Sequence, residues 1–226
     1  MPLTVSGKSR IFPFRSLGWK IARECPVATL PHLLARWFSC PFERLEPYVP
    51  REGVIVDLGC GHGLMLRRLA SLLPPETVLL GFDLDAKKIA FARHFDESQR
   101  VQYEVKDVAS GPGLGHVSCL ILNDVLHLLP FDAQERLLRR CFEDLAEGGV
   151  MILKEIDTRP SWKYAWAWVQ EFAVNHLLAL TRGRGLYYSA APALTGRLEK
   201  IGFNVEALPV HQGYPYAHVI FLCRKG

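Results

Sequence analysis

Between Val54 and Gly63 the chain reads Val-Ile-Val-Asp-Leu-Gly-Cys-Gly-His-Gly, an apolar run that passes straight into a turn with glycine at every second position. Glycine has no Cβ, so Gly59, Gly61 and Gly63 let the backbone turn tightly and lie against a ligand. A helix opening after them would add unpaired N–H groups. Cys60 and His62 occupy the same loop, where His62 is expected to shape a pocket wall and not to move protons. Twenty residues beyond Gly63, Asp83 ends a second apolar run, where its carboxylate can accept hydrogen bonds from both hydroxyls of a ribose.

Two details set this loop apart from a dinucleotide site. Its glycines follow Asp-x-Gly-x-Gly-x-Gly and not G-x-G-x-x-G, and Asp57 stands just ahead of them. A carboxylate there repels a pyrophosphate but suits a ligand carrying an ammonium and a sulfonium. The charge logic points to S-adenosylmethionine over NAD, with an NAD-linked oxidoreductase as the weaker reading.

Loop and acid must be held by a framework, and the pattern supplies one. Strands are expected at Val54–Val56, Val78–Phe82, Val101–Val105, Val117–Leu122 and Val150–Ile156. Between them come helices at Leu64–Leu73, stopped by Pro74-Pro75, at Ala86–Phe95 with Asp85 as its cap, and at Asp132–Ala146, closed by Gly148-Gly149. Strands alternating with helices mean a parallel sheet covered on both faces. A helix at Pro192–Ile201 precedes two extended runs, Phe203–Val210 and Ala217–Cys223, whose short connection through Gly213 demands a hairpin, so that the last strand enters antiparallel. Residues 1–50 carry scattered prolines and one expected helix at Leu30–Phe38, and read as an N-terminal cap to a domain spanning 51–226.

Residues 54 to 156 resemble the class I methyltransferase family, with VIVDLGCGHG as the glycine motif, Asp83 in GFDLD, Asp107 in VKDV, the fourth-strand motif ILNDVLHLLP and the approach LAEGGVMILKE to strand five. The resemblance implies a Rossmann-like, doubly wound α/β fold with a seven-stranded sheet whose last strand is antiparallel, an N-terminal helical cap and a helical insertion after strand five. It implies that Asp57 and the backbone from Gly59 to Gly63 hold the methionine end of S-adenosylmethionine. Asp83 would take the ribose, Leu84 and Val108 the adenine faces, Asp107 the adenine amino group, and Asn123 would lie near the methionine moiety. Asp107 equally suits a cap on the following turn, and Asn123 an ordinary strand end. Only about ten residues join strands three and four, so the helix usual there should shrink to a turn.

Methyl transfer from a sulfonium is an in-line displacement with an activated leaving group, so alignment and exclusion of water matter most. A hydroxyl or phenol acceptor would want a base near the ends of the later strands. His127 is the candidate, against the alternative of a histidine satisfied by backbone. His/Cys/Asp/Glu residues show no metal-ligand spacing, so no metal is expected. No Asn-Pro-Pro-Tyr-like sequence follows strand four, which leaves oxygen or carbon acceptors. The insertion at 155–190 contains a wide apolar stripe with Trp162 and Trp166, which reads either as a lid packed on the domain or as a pocket for a lipid, isoprenoid, polyene or polyketide-type acceptor. Tyr187, Tyr188 and His211 are further candidate acceptor contacts.

The chain has 226 residues, 49% of them hydrophobic, enough for one α/β domain with a full core. A formal net charge of +4 permits an anionic partner without demanding one, so nucleic acid is disfavoured while an RNA methyltransferase stays a competing reading. Basic residues interleaved with aromatics before Glu24 suit either a peripheral contact with anionic lipid or a solvated arm. Six cysteines without a CxxC pair argue for reduced thiols in the cytoplasm, and no apolar run reaches the length of a membrane span. A catalytically silent, cofactor-binding partner subunit is the reading from outside the enzymes. Oligomeric state is not encoded legibly.

Overall fold

The computed structural model describes residues 29–110, 113–159 and 186–226. Its centre is a seven-stranded sheet in the order β3-β2-β1-β4-β5-β7-β6. The strands are β1 (Val54–Leu58), β2 (Val78–Asp83), β3 (Val101–Val105), β4 (Val117–Asn123), β5 (Leu145–Ile156), β6 (Asn204–Pro209) and β7 (His218–Arg224). Neighbours pair in parallel as far as β5, and β7 then runs antiparallel between β5 and β6, as the hairpin requires. The helices are α1 (Leu30–Ser39), α2 (Phe42–Leu45), α3 (Leu64–Leu72), α4 (Ala86–Phe95), α5 (Phe131–Asp144) and α6 (Ala191–Ile201).

Central strands buried on both faces are apolar throughout, and their alternation divides the core in two. Ile55, Cys119, Ile121, Ile152, Ile220 and Leu222 face α3, α4 and the N-terminal cap, whose Leu33, Phe42 and Leu45 belong to the same cluster. Val56, Leu58, Leu120, Leu122, Leu153 and Phe221 face α5 and α6. The order of strands reverses direction at β1 and β4, and sheets of this kind bind ligands beyond the carboxyl ends of the strands at such a switch point. Both strands carry the polar residues of interest at that end.

Local signals mostly act as expected. Asp85 caps α4, its carboxylate accepting from the N–H groups of Lys87 at 2.9 Å and Lys88 at 3.4 Å. Between β3 and β4 a single 3₁₀ turn, Val108–Ser110, stands among the described residues where a helix is usual. One expectation fails: Gly148-Gly149 does not close a helix. The helix stops at Asp144, and β5 already begins at Leu145, which pairs with Val117 before the register shifts and Val150 pairs with Cys119. The two glycines absorb that irregularity. Gly148 takes φ +72°, and a Cβ on Gly149 would lie 2.8 Å from the Ala146 carbonyl oxygen.

Candidate cofactor and acceptor site

The glycine loop is tied to β2 by backbone. The N–H groups of Gly59 and Cys60 both donate to the Phe82 carbonyl, at 2.7 and 2.9 Å. Gly59, Gly61 and Gly63 all have positive φ, +80°, +54° and +74°. A side chain would fail at each for a different reason. At Gly59 a Cβ would sit 2.4 Å from Val125 Cγ2, and at Gly63 2.6 Å from the Tyr103 hydroxyl, whereas at Gly61 it would meet nothing within 4 Å and would project into open space. Gly61 is therefore the point at which the loop presents bare backbone to open space. The Asp83 carboxylate accepts the Gly61 N–H at 2.9 Å and the Asp85 N–H at 2.8 Å, which fixes it beside the loop.

Asp57 is 2% exposed, and its Oδ1 has no hydrogen-bond partner. Burial pushes its carboxyl up to about 7; the Arg36 guanidinium draws it back in part, and Asp83 pushes it further up. A buried carboxylate oxygen left unpaired in the folded chain is costly, and a ligand ammonium would both satisfy it and restore its charge. S-adenosylmethionine fits these residues on that ground, together with the open face of Gly61 and the apolar Leu84, 49% exposed beside Asp83. Val108 is half-buried. Asp107 accepts the Ala109 N–H at 2.9 Å, so it does cap its turn whatever else it binds. His62 packs edge-on against Phe91, with ring centroids 5.0 Å apart.

Strand alternation puts Asp57, Asn123, Lys154 and His218 on the face covered by the cap. All are buried there. Arg36 from α1 donates to Asp124 Oδ2 at 2.5 Å and to the Asn123 carbonyl at 2.9 Å. Lys154 Nζ lies 2.6 Å from both Asp124 oxygens. Burial alone would raise the Asp124 carboxyl, but Lys154 and Arg36 together hold it well below the usual carboxylate range. The Asn123 amide Nδ2 contacts Cys40 Sγ at 3.3 Å. His218 Nε2 donates to the Ser39 carbonyl at 2.7 Å, and burial with the nearby Lys154 lowers its pKa to about 3, so the ring is neutral.

His127 sits on the other face. It is 3% exposed, its Nδ1 lies 2.7 Å from Glu155 Oε2, and its ring stacks on Tyr188 at 4.7 Å. Glu155 Oε1 accepts the Leu126 N–H at 2.8 Å. Tyr187 is held through its backbone, donating to the His127 carbonyl at 2.8 Å and accepting from Gln134 Nε2 at 2.9 Å. A shallow, partly open indentation lies between these residues and Leu194. His211 falls in the β6–β7 turn, where its carbonyl accepts the Tyr214 N–H. Trp162 and Trp166 lie outside the described residues, as does most of the 155–190 insertion. Sequence reasoning did not single out Arg36, Lys154, Glu155 or His218. The available signal was Lys154-Glu155 inside the apolar run VMILKEI, since charge within a buried strand is retained only when paired.

A family model described as a methyltransferase domain matches residues 32–208. Trans-aconitate 2-methyltransferase of Deinococcus radiodurans is 32% identical over 161 residues, covering 70% of this chain and 59% of that protein. Carboxy-S-adenosyl-L-methionine synthase of Chromohalobacter salexigens is 31% identical over 107 residues, 45% of this chain and 39% of that protein. The chain thus spans less than two thirds of the length of either relative. The solved structure of the pyocyanin biosynthetic protein PhzM shares the fold, with a TM-score of 0.69 at 19% identity over 92% of this chain and 61% of that one. A match of that breadth, on a sheet of this order with an acid waiting at its glycine loop, means that the chain belongs to the class I S-adenosylmethionine-dependent methyltransferase family.

Proposed function

We propose that the protein transfers the methyl group of S-adenosylmethionine to a small-molecule acceptor with a large apolar body, at oxygen or carbon. The observation that carries the activity is the unpaired, buried Oδ1 of Asp57 at the head of a glycine loop whose Gly61 faces open space. The bound sulfonium supplies an activated methyl group; the chain's own task is to hold the donor, align the acceptor and keep water out. Asp57 takes the ammonium, Asp83 the ribose, and Leu84 and Val108 the adenine faces. Asp107 reaches the adenine amino group, and Asn123 lies under the methionine chain.

The apolar stripe of residues 161–180, with Trp162 and Trp166, supports the acceptor reading, and Tyr187, Tyr188 and His211 are assigned to the same pocket. For a hydroxyl acceptor His127 is the base, its ring oriented by the Nδ1 contact with Glu155 Oε2 at 2.7 Å. Described cysteines are all free thiols, which suits a cytoplasmic protein. No helix among the described residues is long and apolar enough to cross a membrane, and the basic, aromatic segment proposed for peripheral contact lies outside them.

The test is transfer from methyl-labelled S-adenosylmethionine to three sets of acceptors: hydroxylated isoprenoids, polyenes and polyketides; trans-aconitate; and total RNA. Labelled product in the first set supports the proposal. Product only from trans-aconitate or only from RNA replaces the acceptor, and tight S-adenosylhomocysteine binding with no transfer to any set identifies a silent subunit.

A further inference from the structure

We infer that Gln134 is a positioning residue of the acceptor site, its buried amide fixing residues 187–189 to the turn that carries His127 and so setting the Tyr188 ring against the imidazole. The inference rests on the reading of His127 as the base for a hydroxyl acceptor, and extends it to a residue of α5 that touches no reacting atom.

The buried stripe of α5 runs through Ala133, Leu137, Leu138 and Cys141, and Gln134 lies in it at 1% exposure. A primary amide in that place is costly unless its donors and its acceptor are met. Here they are: Nε2 donates to the Leu129 carbonyl at 3.0 Å and to the Tyr187 carbonyl at 2.9 Å, and Oε1 accepts from Arg197 Nη1 at 2.9 Å. Two donors face two carbonyls and one acceptor faces a guanidinium, a set that neither glutamate nor methionine could match. Leu129 directly follows the 3₁₀ turn Leu126–Leu128 that holds His127, and Tyr187 directly precedes Tyr188. One side chain therefore joins the two pieces of backbone whose rings stack. The Tyr187 N–H, donating to the His127 carbonyl at 2.8 Å, doubles the join.

The imidazole is thereby held from two directions. Glu155 Oε2, 2.7 Å from Nδ1, holds one edge of the ring, and the Tyr188 ring, 4.7 Å away and 10° from parallel, covers its face. Edge and face contacts together leave the imidazole one plane. From the far side α6 completes the join: Arg197 reaches the Ser189 hydroxyl at 3.4 Å, and its guanidinium lies 5.7 Å over the Phe131 ring, which meets Tyr187 edge-on at 5.7 Å. Residues 187–189 close the 155–190 insertion, so Gln134 couples the root of that segment to the orientation of the base. Alignment is what a methyl transfer from an activated donor most needs.

The experiment compares the full chain with its Gln134→Met, Arg197→Met and Tyr188→Leu variants. It reads the NMR shifts of the His127 ring protons, assigned through the backbone, alongside labelled-methyl transfer to hydroxylated isoprenoids, polyenes and polyketides. Stacking on Tyr188 should move the His127 ring protons upfield of those of the exposed His116, and Tyr188→Leu should lose that shift. Gln134→Met should lose it too and lower kcat by about 10- to 100-fold with KM little changed, the effect of a misaligned group. Arg197→Met leaves both carbonyl contacts in place and should keep part of the shift. The stoichiometry of S-adenosylhomocysteine binding reports the folded fraction of each variant. A shift that survives in Gln134→Met, or is lost there with kcat unchanged, overturns the inference, as does a wild-type His127 without the shift, which needs no variant to fold. His127→Gln that transfers methyl at the wild-type rate sinks the base reading instead, an outcome told apart because Gln134→Met still loses the shift.

Discussion

At the scale of single residues the site is governed by one misplaced charge. The folded state holds the Asp57 proton more tightly than the unfolded chain does, its carboxyl lying near 7 against an ordinary 3.8. Between those values the unfolded chain is ionised while the native one stays protonated, so ligand-free stability falls as pH rises through that window, by up to about 4 kcal/mol. Urea midpoints measured from pH 4 to 8 should show this decline, and Asp57→Asn should flatten it. The ligand ammonium needs the ionised acid, so S-adenosylhomocysteine should bind about tenfold more tightly per pH unit up to 7 and level off above it. A pH-independent affinity would refute the pairing. The glycines separate in the same spirit. Gly61→Ala should cost only about 1 kcal/mol of stability, from its left-handed backbone, yet weaken cofactor binding at least about tenfold. Gly59→Ala drives its Cβ into Val125 and should cost about 2–3 kcal/mol before any ligand is added.

At the scale of elements, the cap and the bulged strand are each fixed by contacts that a single substitution can remove. The cap meets the last hairpin through the Tyr214 hydroxyl, which donates to Glu43 Oε1 at 2.8 Å, and through the His218–Ser39 bond. Tyr214→Phe should cost about 1 kcal/mol and speed proteolysis within residues 29–50 while leaving the sheet protected in hydrogen exchange. Uniform loss of protection would mean that the cap is no separable element. In β5, Gly149 lies so close to the backbone oxygens of Ala146 and Val117, at 2.8 and 3.2 Å from its would-be Cβ, that neither can move without breaking the ladder. Gly149→Ala should therefore destabilise by about 2 kcal/mol or more in urea titration, although no site residue lies within that bulge.

At the scale of the whole molecule the ligand is a stability term. S-adenosylhomocysteine at a hundred times its dissociation constant adds about 2.7 kcal/mol to the native state, roughly 5–10 °C in the melting temperature of a domain this size. NADH should add nothing, and Asp83→Ala should lose the shift; an equal shift with NADH would return the chain to the dinucleotide reading. The order of the elements, the turn-forming glycines of the loop and the reversed last strand were legible in the linear chain, because each rests on local periodicity, turn chemistry or a connection too short to do otherwise. The role of Gly148-Gly149 was not, since a helix cap and a strand bulge use the same residue and only the pairing of Leu145 with Val117 distinguishes them. Nor was the partnership of Arg36 with Asp124, which joins residues 88 apart, or the separation of His127 from the face that holds Asp57. Which side chains meet across strands follows from sheet order and register. Those are set by long-range packing of two apolar faces at once, so the charges buried between them acquire partners only when the chain is closed.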